Sequence, residues 1–106
     1  MPATPSHRWL VTGASSGQGA EIALAALRAG YFVIGTARSI TKAKEAYPEI
    51  ERLGGMWIEL DVTDAKTQSA VEQAVKRHKI TVVVNNAGYG LRGVLEDLKY
   101  VSRNPW

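Results

Sequence analysis

The chain has 106 residues, 45% of them hydrophobic and 22% charged, with 13 lysines and arginines against 10 carboxylates and a net charge of +3. Those values fit one globular domain and exclude a chain too polar to fold, while no apolar run approaches the roughly 18 residues that a membrane-spanning helix needs. There is no cysteine, so disulfides, thiolate metal sites and cysteine nucleophiles are excluded; the basic residues are scattered without the dense stripe or interleaved aromatics that nucleic acid calls for, so neither nucleic acid nor a membrane is an expected partner.

Met1 to His7 carries two prolines and no apolar core, which predicts a short disordered leader (residues 1–7) rather than a signal peptide, and with it a cytoplasmic location. Arg8 to Thr12 predicts a first strand, apolar on both faces as in the centre of a parallel sheet. Thr12-Gly13-Ala14-Ser15-Ser16-Gly17-Gln18-Gly19 then leads into a helix from Ala20 to about Ala29, with Ile22, Ala23, Ala26 and Leu27 on one face and Gly30 as its stop. Tyr31 to Thr36 predicts the second strand. From Ile40 to Leu53 the charges are frequent and Pro48 breaks any single helix, so one short helix or two pieces should cover one edge of the sheet.

Gly54-Gly55 precedes a third strand, Met56 to Val62. Thr63 or Asp64 can cap the next helix, whose apolar positions Val71, Ala74 and Val75 recur at helical spacing until about His78. Ile80 to Val84 is β-branched and reads as a fourth strand. Beyond Gly88, Tyr89 to Gly93 predicts a loop and Val94 to Val101 a short helix. Strands alternating with helices predict an α/β fold: a Rossmann-like doubly wound parallel sheet whose first four strands run 3-2-1-4 and which is truncated there.

A strand-to-helix turn leaves backbone N–H groups without intrahelical partners, and they point, with the positive end of the helix dipole, at whatever fills the turn. Pyrophosphate fits that description. Gly13 serves the tight turn, Gly17 a close approach of backbone to phosphate oxygens, and Gly19 the packing of helix on strand. Ser15 and Ser16 can donate hydroxyls to phosphate or ribose oxygens, or cap the helix; the amides of the turn, including that of Gln18, face the pyrophosphate. Arg38 lies just past the second strand, where an adenosine ribose should arrive. A carboxylate there would accept from the 2′-OH, whereas a guanidinium grips a 2′-phosphate, and no Asp or Glu occurs from Gly35 to Lys44, so NADP is favoured over NAD.

The spacing Gly-x-x-x-Gly-x-Gly after Thr12, together with Asn85-Asn86-Ala87-Gly88 after the fourth strand, resembles the short-chain dehydrogenases/reductases. The likeness covers Arg8 to about Leu98, the cofactor-binding half of a family member. It implies an oxidoreductase that transfers hydride between a nicotinamide dinucleotide and a small carbonyl or alcohol substrate. It further implies that Asp61 and Val62 form the adenine-binding pair, although Asp61 can also begin the cap of the following helix. Asn86, Ala87 and Gly88 become the cofactor-side residues, an amide of the Asn85-Asn86 segment braces neighbouring strands, and Ser39 and Lys42 can assist a phosphate or remain solvated. Gln18 stands where the family usually has an apolar residue. His7 and His78 read as a leader residue and a helix-end residue, and no metal site is expected.

The resemblance also implies a catalytic tyrosine, a lysine four positions later and a serine. Tyr31, Tyr47, Tyr89 and Tyr100 are followed at that distance by Gly35, Glu51, Gly93 and Asn104, so no catalytic residue is assigned. Residues 8–98 are expected to form the NAD(P)-binding half-domain and 99–106 a divergent tail. The fourth strand would then be a bare apolar edge, open to self-association. Three readings follow: a cofactor-binding oxidoreductase portion without turnover of its own, a non-catalytic nucleotide-binding or interaction module, and a truncated gene product.

Overall fold

The structure, a computed structural model, describes residues 7–15, 17–61, 66–86 and 99–102. β1 (Arg8–Val11) is an apolar strand that runs into a turn and then α1 (Gly17–Arg28). The helix begins three residues earlier than its apolar pattern alone suggests, because Gly17, Gln18 and Gly19 already form its first turn. It ends at Gly30, whose φ of 93° lets Gly30 N donate to Leu27 O and Tyr31 N to Ala26 O. Those two bonds satisfy carbonyls that a helix end otherwise leaves open, and the left-handed backbone they need costs glycine little.

β2 (Phe32–Ala37) follows, and then Pro48 divides the next segment as expected into α2 (Ile40–Ala46) and α3 (Pro48–Arg52). Proline fits the first turn of α3, where its missing N–H would have had no helical partner. β3 (Met56–Glu59) is shorter than the run to Val62 predicts. α4 (Thr67–His78) starts after Lys66, which makes no side-chain capping bond. The expected caps Thr63 and Asp64 lie outside the described residues. β4 (Val82–Asn85) is fully buried.

All strands are parallel, in the order β3-β2-β1-β4-β5. The predicted 3-2-1-4 order holds, and a fifth strand extends it. β5 (Lys99–Ser102) pairs with β4 from Val82↔Lys99 to Asn85↔Ser102. Two expectations are thereby corrected: the helix predicted from Val94 cannot run to Val101, and β4 is not a bare edge, so it offers no open ladder for self-association. The physical reason is register: four residues with little apolar signal find their place through backbone bonds to β4.

Side chains alternate across the strands and build two cores. Val11, Val33, Trp57, Val82 and Val84 face α1, α2 and α3 with Ala23, Leu27, Ala43 and Ile50. Leu10, Ile34, Leu60 and Val83 face α4 with Val71. The two connections that build the sheet outward from β1 through β2 to β3 place their helices on one face, and the return from β3 to β4 places α4 on the other. The strand order reverses between β1 and β4, and the carboxyl edge of the sheet beside such a reversal is the usual ligand position in a doubly wound fold.

Candidate functional site

At that carboxyl edge the turn after β1 is tied to both neighbouring strands. Thr12 N donates to Val84 O (3.0 Å), Gly13 N to Thr36 Oγ1 (3.3 Å) and Ala14 N to Thr36 O (3.0 Å). From the other side Asn86 Nδ2 donates to Gly13 O (3.2 Å). Thr12 Oγ1 and Asn85 Oδ1 lie 3.2 Å apart, and both residues are fully buried. The β4 end thus braces the turn through two successive asparagines, Asn85 on the Thr12 hydroxyl and Asn86 on the Gly13 carbonyl.

The three glycines of the turn have separate physical reasons. Gly13 has φ 64° and Gly17 φ 49°, a region that disfavours a side chain; a Cβ at Gly17 would meet nothing within 4 Å, so backbone and not space selects glycine there. At Gly19 space decides. A Cβ would collide with the Gly13 carbonyl oxygen and lie 2.6 Å from Asn86 Nδ2, so the helix could not come so close to the turn.

A crevice of about 610 Å³ opens beside the turn, lined by Gly13, Ser15, Thr36, Ala37, Arg38, Ser39, Lys42, Leu60 and Asp61. It gathers six of the residues singled out in the sequence, Gly13, Ser15, Arg38, Ser39, Lys42 and Asp61, from the ends of three strands and the start of α2. Gly17 and Gln18 are exposed at the start of α1, Gly19 is buried against the turn, and Asn86 is half-buried beneath it. Ser16, Val62, Ala87 and Gly88 lie outside the described residues. Arg38 is exposed. Ser39 caps α2, its side chain accepting from Lys42 N at 3.2 Å, so its hydroxyl has a local use besides any ligand. Asp61 is half-buried, and its carbonyl accepts from Thr67 Oγ1 at 2.6 Å; the bond to α4 therefore leaves from its backbone.

Thr36 was not legible as a site residue from spacing, since a threonine inside a strand reads as sheet-forming; only the register of β2 beside β1 brings its hydroxyl to the turn. At the opposite edge His78 ends α4 and stacks on Phe32 with ring centroids 6.3 Å apart, and His7 Nδ1 lies 3.1 Å from Thr81 Oγ1. Both histidines are remote from the crevice lining. Among the described residues no group of three His, Cys, Asp or Glu could hold a metal ion, and no helix is long and apolar enough to cross a membrane.

Residues 8–103 match the family model described as short chain dehydrogenase. Oxidoreductase claN of Passalora fulva is 54% identical over 93 residues, 87% of this chain and 43% of that protein. A short-chain dehydrogenase from Streptomyces avermitilis superposes with a TM-score of 0.66 at 44% identity, covering 78% of this chain and 32% of the other. A metagenomic short-chain oxidoreductase in complex with NADP gives a TM-score of 0.66 at 33% identity, covering 82% of this chain and 41% of the other. The chain spans less than half the length of each of these proteins.

Proposed function

The chain belongs to the short-chain dehydrogenase family, and from that membership we propose that it is the NADP(H)-binding portion of an oxidoreductase acting on a small carbonyl or alcohol substrate in the cytoplasm. The residues present fit a dinucleotide. The turn after β1 lines the crevice with Gly13 and Ser15 and leads into the amides that start α1, and Gly19 lets the helix lie close on that turn where a Cβ would crowd it. Gly13, Ser15, Ser16, Gly17, Gln18 and Gly19 would hold the pyrophosphate, Asp61 and Val62 the adenine, and Asn86, Ala87 and Gly88 the floor. When bound, the nicotinamide supplies the hydride that such a reaction moves.

The single observation that carries the choice of NADP is that Arg38 lines the same crevice as the phosphate turn, with Lys42 beside it. Two cations suit a 2′-phosphate, and a bidentate guanidinium suits it best. No Tyr-x-x-x-Lys occurs in these 106 residues, so this polypeptide alone is expected to bind cofactor without turning over a carbonyl substrate. Titration with NADPH and NADH, followed by reduced-cofactor fluorescence, tests the reading. NADPH should bind more tightly, and Arg38→Ala should weaken NADPH by about ten- to a hundredfold, as expected for the loss of a charged hydrogen bond, while leaving NADH unchanged. Equal affinities in the unaltered chain would sink the NADP assignment, and robust carbonyl reduction by it would sink the assignment of no turnover.

A further inference from the structure

We infer that Thr36 is a positioning residue for the phosphate turn, one that divides its backbone amides into a structural set and a ligand set. This rests on the dinucleotide reading above. Three successive amides are already committed to neighbouring strands: Thr12 N to Val84 O, Gly13 N to Thr36 Oγ1 and Ala14 N to Thr36 O. Two of the three acceptors belong to Thr36. The amides left to face an anion therefore begin at Ser15 and continue into the first turn of α1, where Gly17, Gln18 and Gly19 have no preceding helical carbonyls.

Thr36 is 2% exposed, so water does not readily replace its hydroxyl. Its backbone carbonyl holds Ala14 whatever the side chain, but the amide of Gly13, whose left-handed φ of 64° sets the direction of the turn, is held by the Thr36 hydroxyl, while Asn86 Nδ2 holds its carbonyl. The packing around it leaves little slack. A Cβ on the adjacent Gly35 would come 2.9 Å from the Ala14 methyl and 3.0 Å from the Trp57 ring, so the turn lies close on β2 at this point. Without the hydroxyl the turn keeps its bonds at Thr12 N, Ala14 N and the Gly13 carbonyl, but the Gly13 peptide can tilt until its N–H finds another acceptor. Binding a pyrophosphate must then draw it back, and that loss of preorganisation appears as lost affinity.

The test compares Thr36→Val, which keeps shape and removes the acceptor, with Thr36→Ser, which keeps the acceptor. NADPH affinity should fall about tenfold in T36V and return to within about twofold in T36S. Displacement by adenosine 2′-phosphate, which lacks the pyrophosphate, should be unchanged in T36V; a variant that merely folds badly would lose both ligands together. In the unaltered chain the Gly13 amide should exchange its hydrogen slowly and the Ser15 amide fast until NADPH is added. Unchanged NADPH affinity in T36V, equal loss of both ligands, or fast exchange at Gly13 in the folded protein each overturns the role of Thr36. An unaltered chain that binds no NADPH at all overturns instead the reading on which it rests.

Discussion

The two edges of this sheet are built from the same strands and could hardly differ more. At the carboxyl edge the chain spends glycine, threonine and asparagine on holding a turn open, with the Gly13 amide and carbonyl clasped from β2 and β4. At the amino edge it uses aromatic rings and a half-buried arginine to join β1 to β2 and to the end of α4. The Arg8 guanidinium carbon lies 3.9 Å from the centre of the Phe32 ring, Arg8 Nε donates to His78 O at 2.6 Å, and Trp9 stacks on Tyr31 with centroids 5.7 Å apart. Thr81 completes the seam, its hydroxyl accepting from Arg8 N and its amide donating to Arg8 O. The lesson is a division of labour: one edge spaces polar backbone groups around a crevice, while the other ties the strand ends and α4 together through rings and an arginine.

That division predicts separable effects. The largest belongs to Gly19→Ala, whose methyl would displace either Gly13 or Asn86; dinucleotide affinity should fall on the order of a hundredfold, measured by fluorescence titration, as overpacking of a rigid turn costs about 1–3 kcal/mol or more. Arg8→Ala should do the converse. Removing a charged hydrogen bond and a cation–π contact should lower unfolding free energy by about 1–3 kcal/mol in urea melts, with dinucleotide affinity within about twofold of the original. If R8A weakened binding as strongly as it weakened the fold, the two edges would be coupled and the comparison would fail. The smallest effect is expected at Lys79, which ends α4 with φ 54° although it is not glycine. Lys79→Gly should raise stability by up to about 1 kcal/mol, seen as a higher thermal midpoint, by relieving left-handed strain at a helix end.

Much of this was legible from residue pattern because each element states itself locally. The β-branched run before Asn85, the helical spacing of Val71, Ala74 and Val75, and the break at Pro48 all correspond to β4, α4 and the division of α2 from α3. What escaped depends on register. β5 has no apolar run of its own and is defined by its ladder to β4, so residue pattern along the chain predicts helix and tail there instead of a strand. The left-handed Lys79 was invisible because nothing in a lysine announces that backbone. Within the site, the glycine turn and Arg38 declared their chemistry by type and spacing. The clasp on Gly13 did not, since Thr36 in β2 and Asn86 just after β4 come to it from 23 and 73 residues away.

The longer of those two separations has a temporal meaning. The Gly13 carbonyl is written near the start of the chain, but its amide partner at Asn86 is made only after β4, the strand that must dock beside β1 to deliver it. A nascent polypeptide holding only the first two or three strands has the glycines yet lacks half the clasp. Cofactor would accordingly favour the finished sheet over its precursors, acting as a thermodynamic receipt for the return of the chain to its own first strand.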